Sequence, residues 1–374
     1  MPADKTRYLS TTKREFLKYY NARPDMDMPL GIRIMPGAAV SAHKPNVKLF
    51  PQKIKNVKIW RRAPKNAEYI DQDVIFLGYA DSFFGHFLAD SMSRAWPILD
   101  EKYKDYAFAV VVDKPLAPFA RELYKLAGFK KLFVIKQSTA FRNLLVPDSS
   151  FGYTKMICNR KYTDTFAKIA NAVKSNKTSP KKIYFSRTKL PHNPTVGEAR
   201  IEKAFRDKGF TVVHMETLAK PMPMRRQIAL VKNATDIAGL SGTALHQSLF
   251  MQDGVRLVCL NRYNAPIPMQ ILIDKLKNID AHYIDASTDP YSKRKNTCPA
   301  CLVGINDNVR RFFDDNKFIC QKCTRCDKEE MKRFLKIYAA NHRILPKWLI
   351  RLILIFVPSQ ELRRNLRKKF AEKF

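Results

Sequence analysis

Between Asp73 and Ala286 the chain alternates short, almost wholly apolar runs with amphipathic segments of helical length, and it does so in two successive blocks. In the first block the apolar runs are DVIFLGYA (73–80), AFAVVVD (107–113), KLFVIK (131–136) and FRNLLVPD (141–148). Helices are expected over 117–128 and 163–176, the second ending in the polar linker KTSPKK. In the second block the runs are KIYFSR (182–187), FTVVHME (210–216), TDIAGLSG (235–242), VRLVCLN (255–261) and AHYIDA (281–286). Between them helices are expected from near Val196, capped by Thr195 and stopped by Gly209, then over 222–233, 244–251 and 266–278. A run that is apolar on both faces suits a strand covered on both sides, as in a parallel sheet with helices above and below. The pattern therefore predicts an α/β chain of two Rossmann-like domains whose parallel sheets face an interdomain cleft, with a helical C-terminal appendage. The boundaries fall at 1–175, 176–290, 291–340 and 341–374; residues 1–70 show no sustained period.

A chain of 374 residues exceeds one ordinary core, and its 45% hydrophobic content can fill two, which excludes wholesale disorder. The charge is lopsided: 68 Lys and Arg against 34 Asp and Glu, a formal +34. Such a field favours polyanions, whether nucleic acid, anionic lipid or phosphorylated small molecules. The start, MPADKTRYLSTTKREFLKYY, holds no apolar run, and no stretch of about 18 uncharged apolar residues occurs, so neither a signal peptide nor a membrane span is expected. Five of the seven cysteines crowd between Cys298 and Cys326, unlike a secreted disulfide framework. A cytoplasmic protein is the expectation.

Three stretches carry candidate chemistry. In GLSGTALHQSLF (239–250) a strand ends, Gly242 permits close approach, and a helix begins, offering amides and a positive dipole end to a phosphate. The same turn is also what any tight strand–helix connection needs. In YFSRTKLPHN (184–193), Ser186 and Arg187 fall at a strand's carboxyl end, facing the same edge as the glycine turn. The arginine fork suits a diphosphate and Lys189 adds charge, although a solvated surface pair looks the same in sequence. In FFGHFLADSMSRAW (83–96), His86, Asp90 and Arg94 stand four apart on a segment otherwise fit for a core, so a regular helix would put them on one stripe. A local ion pair of Asp90 with Arg94 is the plainer account of that stripe.

The order of these motifs resembles glycosyltransferase family 61, the capsular-polysaccharide-type and xylosyltransferase-related group. The resemblance runs over about 73–262: Gly85-His86-Phe87 with Asp90, then Ser186-Arg187, Gly209-Phe210, Glu216, Gln227, and Gly239, Gly242, Leu245 and Phe250. Ser241 stands where the family usually shows histidine, Gln247 where asparagine is usual, and Cys259 where an acidic residue is common; His246 is the nearest imidazole. The resemblance implies a GT-B architecture and inverting transfer from a nucleotide sugar, with no metal required for catalysis. It makes Asp90 the first choice for the base that takes the acceptor's proton, with His86 sharing that proton or orienting the acceptor, and the reverse assignment is open. The donor side would comprise Ser186, Arg187, Lys189, Glu216, Ser241, Gly242, Thr243 and His246, which compensate the leaving diphosphate.

Two further segments lie outside the resemblance. CPAC (298–301) and CQKCTRC (320–326) give C-x2-C-x18-C-x2-C spacing, so Cys298, Cys301, Cys320 and Cys323 form a candidate structural zinc set with Cys326 left over. Reduced thiols in a helical appendage fit the same residues. The C-terminus carries an apolar stretch, 344–357, too short to span a bilayer, then Leu362, Leu366 and Phe370 opposite a basic face. Nine Lys and Arg against two Glu from Arg343 onward suit the headgroup layer of an anionic membrane, or else a helix packed on the protein. The leading expectation is a glycosyltransferase on the inner face of the plasma membrane, extending a glycan or lipid-linked acceptor of the capsule or lipopolysaccharide type. The rival from another class is a basic zinc-ribbon protein that binds nucleic acid. Because the charge is spread along the chain and not gathered around the cysteines, no nucleic-acid partner is expected.

Overall fold

The computed structural model describes residues 5–42, 47–49, 52–54, 57–175, 178–190, 194–215, 222–291, 300–320 and 323–341. Glu216, Cys298 and the basic tail 342–374 lie outside the described residues.

Each apolar run becomes a strand, buried at the sheet centres and half-buried at the edges Leu132–Ile135 and Thr211–Val213, and the strands assemble into two sheets. The first has the order Val57–Trp60, Ala39–Ala42, Thr139–Pro147, Glu68–Tyr79, Ala107–Val111, Leu132–Ile135, with Ile32–Pro36 also paired to Thr139–Pro147. Its four later strands run parallel, with Val74 opposite Ala107 and Phe108 opposite Leu132. The three strands from the region before residue 61 add antiparallel, so this sheet is mixed where a wholly parallel one was expected. Ile32–Pro36 leaves Ile34 60% exposed, and a strand that buries so little shows no apolar run.

The second sheet is parallel throughout, in the order Thr211–Val213, Lys182–Phe185, Asp236–Leu240, Arg256–Asn261, Asp280–Asp285. Ile183, Ile237, Leu257 and Ala281 lie side by side across it. Ranked by sequence this is order 2-1-3-4-5, the doubly wound pattern, whose chain reverses direction across the sheet between Lys182–Phe185 and Asp236–Leu240.

The two halves share one hydrophobic core. Helices Pro118–Ala127 and Arg160–Asn171 pack against Met224–Val231, Thr243–Phe250 and Pro268–Leu276, with Phe166 meeting Phe250 edge-on at 5.4 Å. Full burial of each such side chain stabilises by about 1.5–3 kcal/mol, so this contact face holds the halves together firmly. The N-terminal segment, grouped by sequence with the first half, lies on the second. Asp285 accepts the backbone N–H of Ser10, Thr11 and Thr12 at 2.8, 2.9 and 3.1 Å, and Phe16 packs on Tyr283 at 5.0 Å.

Beyond residue 290 the chain returns to the second half. Thr195–Val196, expected to open a helix, instead pairs as a short strand with Cys301–Leu302. The helix begins at Glu198 because Gly197, at φ 91°, turns the chain where any Cβ would overlap the Val303 carbonyl oxygen. Helix Thr324–Asn341 covers this ribbon with the buried Phe334, and Arg200 pairs with Asp327 and Glu330 on it. Of the expected four-thiolate set, Cys298 lies outside the described residues, and the other three are not gathered at one point. Cys323 is disulfide-bonded to Cys326, Cys301 is buried in the ribbon, and Cys320 is half-buried. Among the described residues no three His, Cys, Asp or Glu side chains group so as to hold a metal. The C-x2-C spacing that fits a zinc knuckle also fits one turn of helix, and here the second cysteine of the pair meets the third. No helix among the described residues is long and apolar enough to cross a membrane.

Candidate active site

Three loops leave the carboxyl ends of adjacent strands at the point where the second sheet's winding reverses. The first carries Ser186 and Arg187. Ser186 is buried, and its hydroxyl donates to Glu202 Oε2 at 2.6 Å, an oxygen that Thr188 also donates to at 2.9 Å. It braces the loop. The Arg187 backbone N–H donates to Glu198 Oε1 at 3.0 Å, and Tyr184 donates its hydroxyl to the same oxygen at 3.2 Å. Glu198 Oε2, also buried, has no hydrogen-bond partner among the described residues. Burial pushes the Glu198 carboxyl up to about 7, against the pull of Tyr184 and Arg187. Lys189 sits exposed farther along this loop.

The second loop is the glycine turn. Ser241 is fully buried, its carbonyl accepting from Arg262 Nε at 2.9 Å and its hydroxyl from the Arg262 N–H at 3.2 Å. Gly242 has φ 171°, an extended backbone open to any residue, so relief of strain is not its purpose. A Cβ there would stand 3.6 Å from Arg187 Nη1: the guanidinium lies against the turn, and glycine leaves room beside it. Thr243–Phe250 then runs as a 3₁₀ helix where an α-helix was expected.

The third loop supplies Arg262, which follows its strand directly, as Arg187 nearly does. Its guanidinium stacks 4.4 Å over the Tyr263 ring. Burial raises the Tyr263 hydroxyl to about 12, while Arg262 and Arg187 both act to lower it, which places two cations around one phenol. Sequence reasoning singled out Arg187 and passed over Arg262. The available signal was its place at a strand's carboxyl end, two strands from Arg187 in a sheet whose order the sequence does not state.

The first half contributes His86 and Asp90. The segment expected as one helix is an α turn (Phe84–His86), a wider π turn (Phe87–Ser91) and a 3₁₀ turn (Met92–Arg94). Such insertions recur at functional sites because they re-aim side chains. His86 Nδ1 lies 3.2 Å from Asp90 Oδ2, and both side chains are a little under half exposed. Arg94 leaves the stripe: residues three apart eclipse in a 3₁₀ turn, so one four along is rotated by roughly a third of a turn. It lies buried, its guanidinium drawn down to about 10 by burial while Asp148 and Asp90 hold it charged. The expected three-residue stripe is thus an exposed pair with an arginine behind it.

The two halves meet at Gly85. A Cβ on this residue would collide with the Thr243 side chain and stand 3.8 Å from His246 Cδ2. Hence His86 and Asp90, next to Gly85 in the chain, lie near the same Gly242–Thr243 turn that Arg187 approaches. His246 is buried, pressed down to about 4 by burial and so neutral, with its Nδ1 2.7 Å from Gln270 Oε1. Of the expected residues the structure brings His86, Asp90, Arg187, Gly242, Thr243 and His246 into one region, turns Ser186 and Ser241 inward, and leaves Lys189 outside.

This arrangement holds a half-exposed imidazole–carboxylate pair beside a cationic, doubly wound ligand edge. No curated protein matches the chain. Residues 84–258 match the family model described as Glycosyltransferase 61, a span that opens at the His86 turn and takes in the Arg187 and Gly242 loops. That match, over 175 of the 374 residues, supports glycosyltransferase family 61 and with it a glycosyltransferase.

Proposed function

We propose that the protein is an inverting, GT-B-like hexosyl- or pentosyltransferase that moves a sugar from a nucleotide-sugar donor to a glycan or lipid-linked glycan. Surface polysaccharide of the capsule or lipopolysaccharide type is the proposed product. One observation carries the reading: the Gly242–Thr243 turn lies against Arg187 at Gly242 and against Gly85, close in the chain to His86 and Asp90, at Thr243. A donor diphosphate lying against Arg187 and Arg262 would bring its anomeric carbon toward the His86–Asp90 pair.

The step balances without a further reactant. The acceptor hydroxyl gives its proton to the pair as its oxygen bonds to the anomeric carbon, and the bond from that carbon to the diphosphate oxygen breaks. The nucleoside diphosphate leaves with the electron pair, its charge met by the two guanidiniums. Sequence favours Asp90 as the base; the Nδ1 contact supports the reverse. With Nδ1–H donated to Asp90, the bare Nε2 of His86 accepts the proton and the carboxylate stabilises the imidazolium that forms. Attachment to the inner membrane face through 344–374 completes the proposal, in keeping with an acceptor carried on lipid.

The test is Asp90→Asn on purified full-length protein. Transfer from a panel of nucleotide sugars should fall by about 10²–10⁴-fold while donor-induced thermal stabilisation stays within error. Unchanged turnover would take Asp90 out of the mechanism, and a panel without one stabilising nucleotide sugar would overturn the donor class.

A further inference from the structure

Behind His86 and Asp90 a chain of buried polar groups runs into the second half. His246 Nδ1 meets Gln270 Oε1 at 2.7 Å, and Gln270 Nε2 donates to Asp274 Oδ1 at 2.8 Å and to Ser248 Oγ at 3.1 Å. Tyr283 donates its hydroxyl to Asp274 Oδ2 at 2.6 Å. Every member from His246 to Tyr283 is at least 95% buried. Gln270 and Asp274 stand on helix Pro268–Leu276 at i and i+4, outside the matched span 84–258.

Donor and acceptor counting fixes the direction of this chain. Asp274 Oδ1 can only accept, so the Gln270 amide must turn its NH2 toward it and its oxygen toward His246. That oxygen can only accept in turn, so Nδ1 of His246 must carry the ring proton. The neutral imidazole then has a bare Nε2. With Tyr283 donating to Oδ2 and Gln270 donating to Oδ1, Asp274 sits in this chain as a carboxylate that accepts at both oxygens. The ring's other edge faces the seam between the halves, its Cδ2 3.8 Å from where a Gly85 Cβ would be.

We infer that His246 offers a neutral Nε2 acceptor to a substrate hydroxyl at the Gly85–Thr243 seam, and that Gln270 and Asp274 are positioning residues that hold it in this tautomer. The inference rests on the transferase reading, since it is a sugar or glycan hydroxyl that would donate there. Burial serves it: an imidazole that stays neutral near pH 7 keeps its lone pair, where a protonated one would repel Arg187 and His86. A core histidine held for packing alone would need no such chain, because a single backbone carbonyl would satisfy it.

Nitrogen-15 NMR of histidine-labelled, full-length protein reads the tautomer directly, without requiring any turnover. His246 should show a protonated Nδ1 and a bare Nε2 from pH 6 to 8. Gln270→Met should shift it toward the Nε2–H form and lower kcat/KM by about 10–100-fold through KM, whereas Asp274→Asn, which keeps an acceptor oxygen for Gln270, should preserve both. An Nε2–H tautomer in the unaltered protein overturns the inference whether or not the variants fold. So does Gln270→Met with unchanged KM. An Nδ1–H tautomer in a protein that transfers no sugar would instead count against the transferase reading and leave the ring assignment standing.

Discussion

Gly85 and Thr243 belong to different halves of the molecule, and they touch so closely that a Cβ on Gly85 would lie well inside the 3.0 Å that real Cβ atoms keep from the Thr243 methyl. Gly85 is not at a positive φ, so space and not backbone freedom demands glycine here. Gly85→Ala must push the Thr243 turn away from His86. Such overpacking costs about 1–3 kcal/mol, and turnover should fall further than stability because the turn also borders Arg187. Thr243→Ser removes the methyl that collides and should restore much of both in the double variant. Melting temperature and initial rate, measured on the four combinations, check this. Additive losses with no rescue would show that the contact does not couple the halves.

Arg187 and Arg262 reach one ligand edge from strands on either side of the glycine turn. Each charge-assisted contact with a diphosphate should be worth about 1.5–3 kcal/mol. Arg187→Ala and Arg262→Ala are therefore each expected to weaken binding of the nucleoside diphosphate by about 10–100-fold, measured by calorimetry at fixed ionic strength. Arg262 also braces the Ser241 backbone, so Arg262→Lys is the informative companion: it keeps the charge and loses the Nε contact. Undiminished affinity in both alanine variants would move the phosphate site elsewhere.

The central strands were legible because each is a run apolar on both faces; Ile183, Ile237 and Leu257 appear in sequence as they lie in the sheet. The loops that follow them were legible for the same reason. Arg262 was not, because its meeting with Arg187 depends on strand order, which no local pattern states. Arg94 was misread because the helical stripe assumed one period, and the segment changes period twice within eleven residues. Glu198 and Glu202 look like solvent-facing helix positions. Only the tertiary fold turns them under the Ser186 loop, where hydrogen bonds offset part of their burial cost.

The tail 344–374 invites a separate test. Its apolar stretch and the basic face beyond it predict that the full chain sediments with phosphatidylserine-containing vesicles but not with neutral ones. At about 1 kcal/mol per basic residue near the surface, removing 344–374 should lower vesicle affinity at least about tenfold and leave transfer to a short soluble acceptor intact. Cosedimentation that survives the truncation would assign membrane contact to another surface.

Glu198 makes stability depend on pH in a direction opposite to an ordinary ion-paired carboxylate. Its folded value, about 7, lies above the unfolded 4.5, so the native state holds the proton more tightly. The group's stabilising contribution is complete below pH 4.5 and is lost as pH rises through 7. Glu198→Gln cannot ionise, yet its amide oxygen can still accept from the Arg187 N–H and the Tyr184 hydroxyl. Between pH 5 and pH 8 the unaltered protein should therefore lose on the order of 1–3 kcal/mol more stability than the variant. Asp274, also raised to about 7, and His246, lowered to about 4, titrate in both proteins and cancel in the comparison. Denaturant unfolding of each protein at the two pH values measures the difference, and equal slopes would mean that Glu198 is ionised in its buried place and is held there by Arg187.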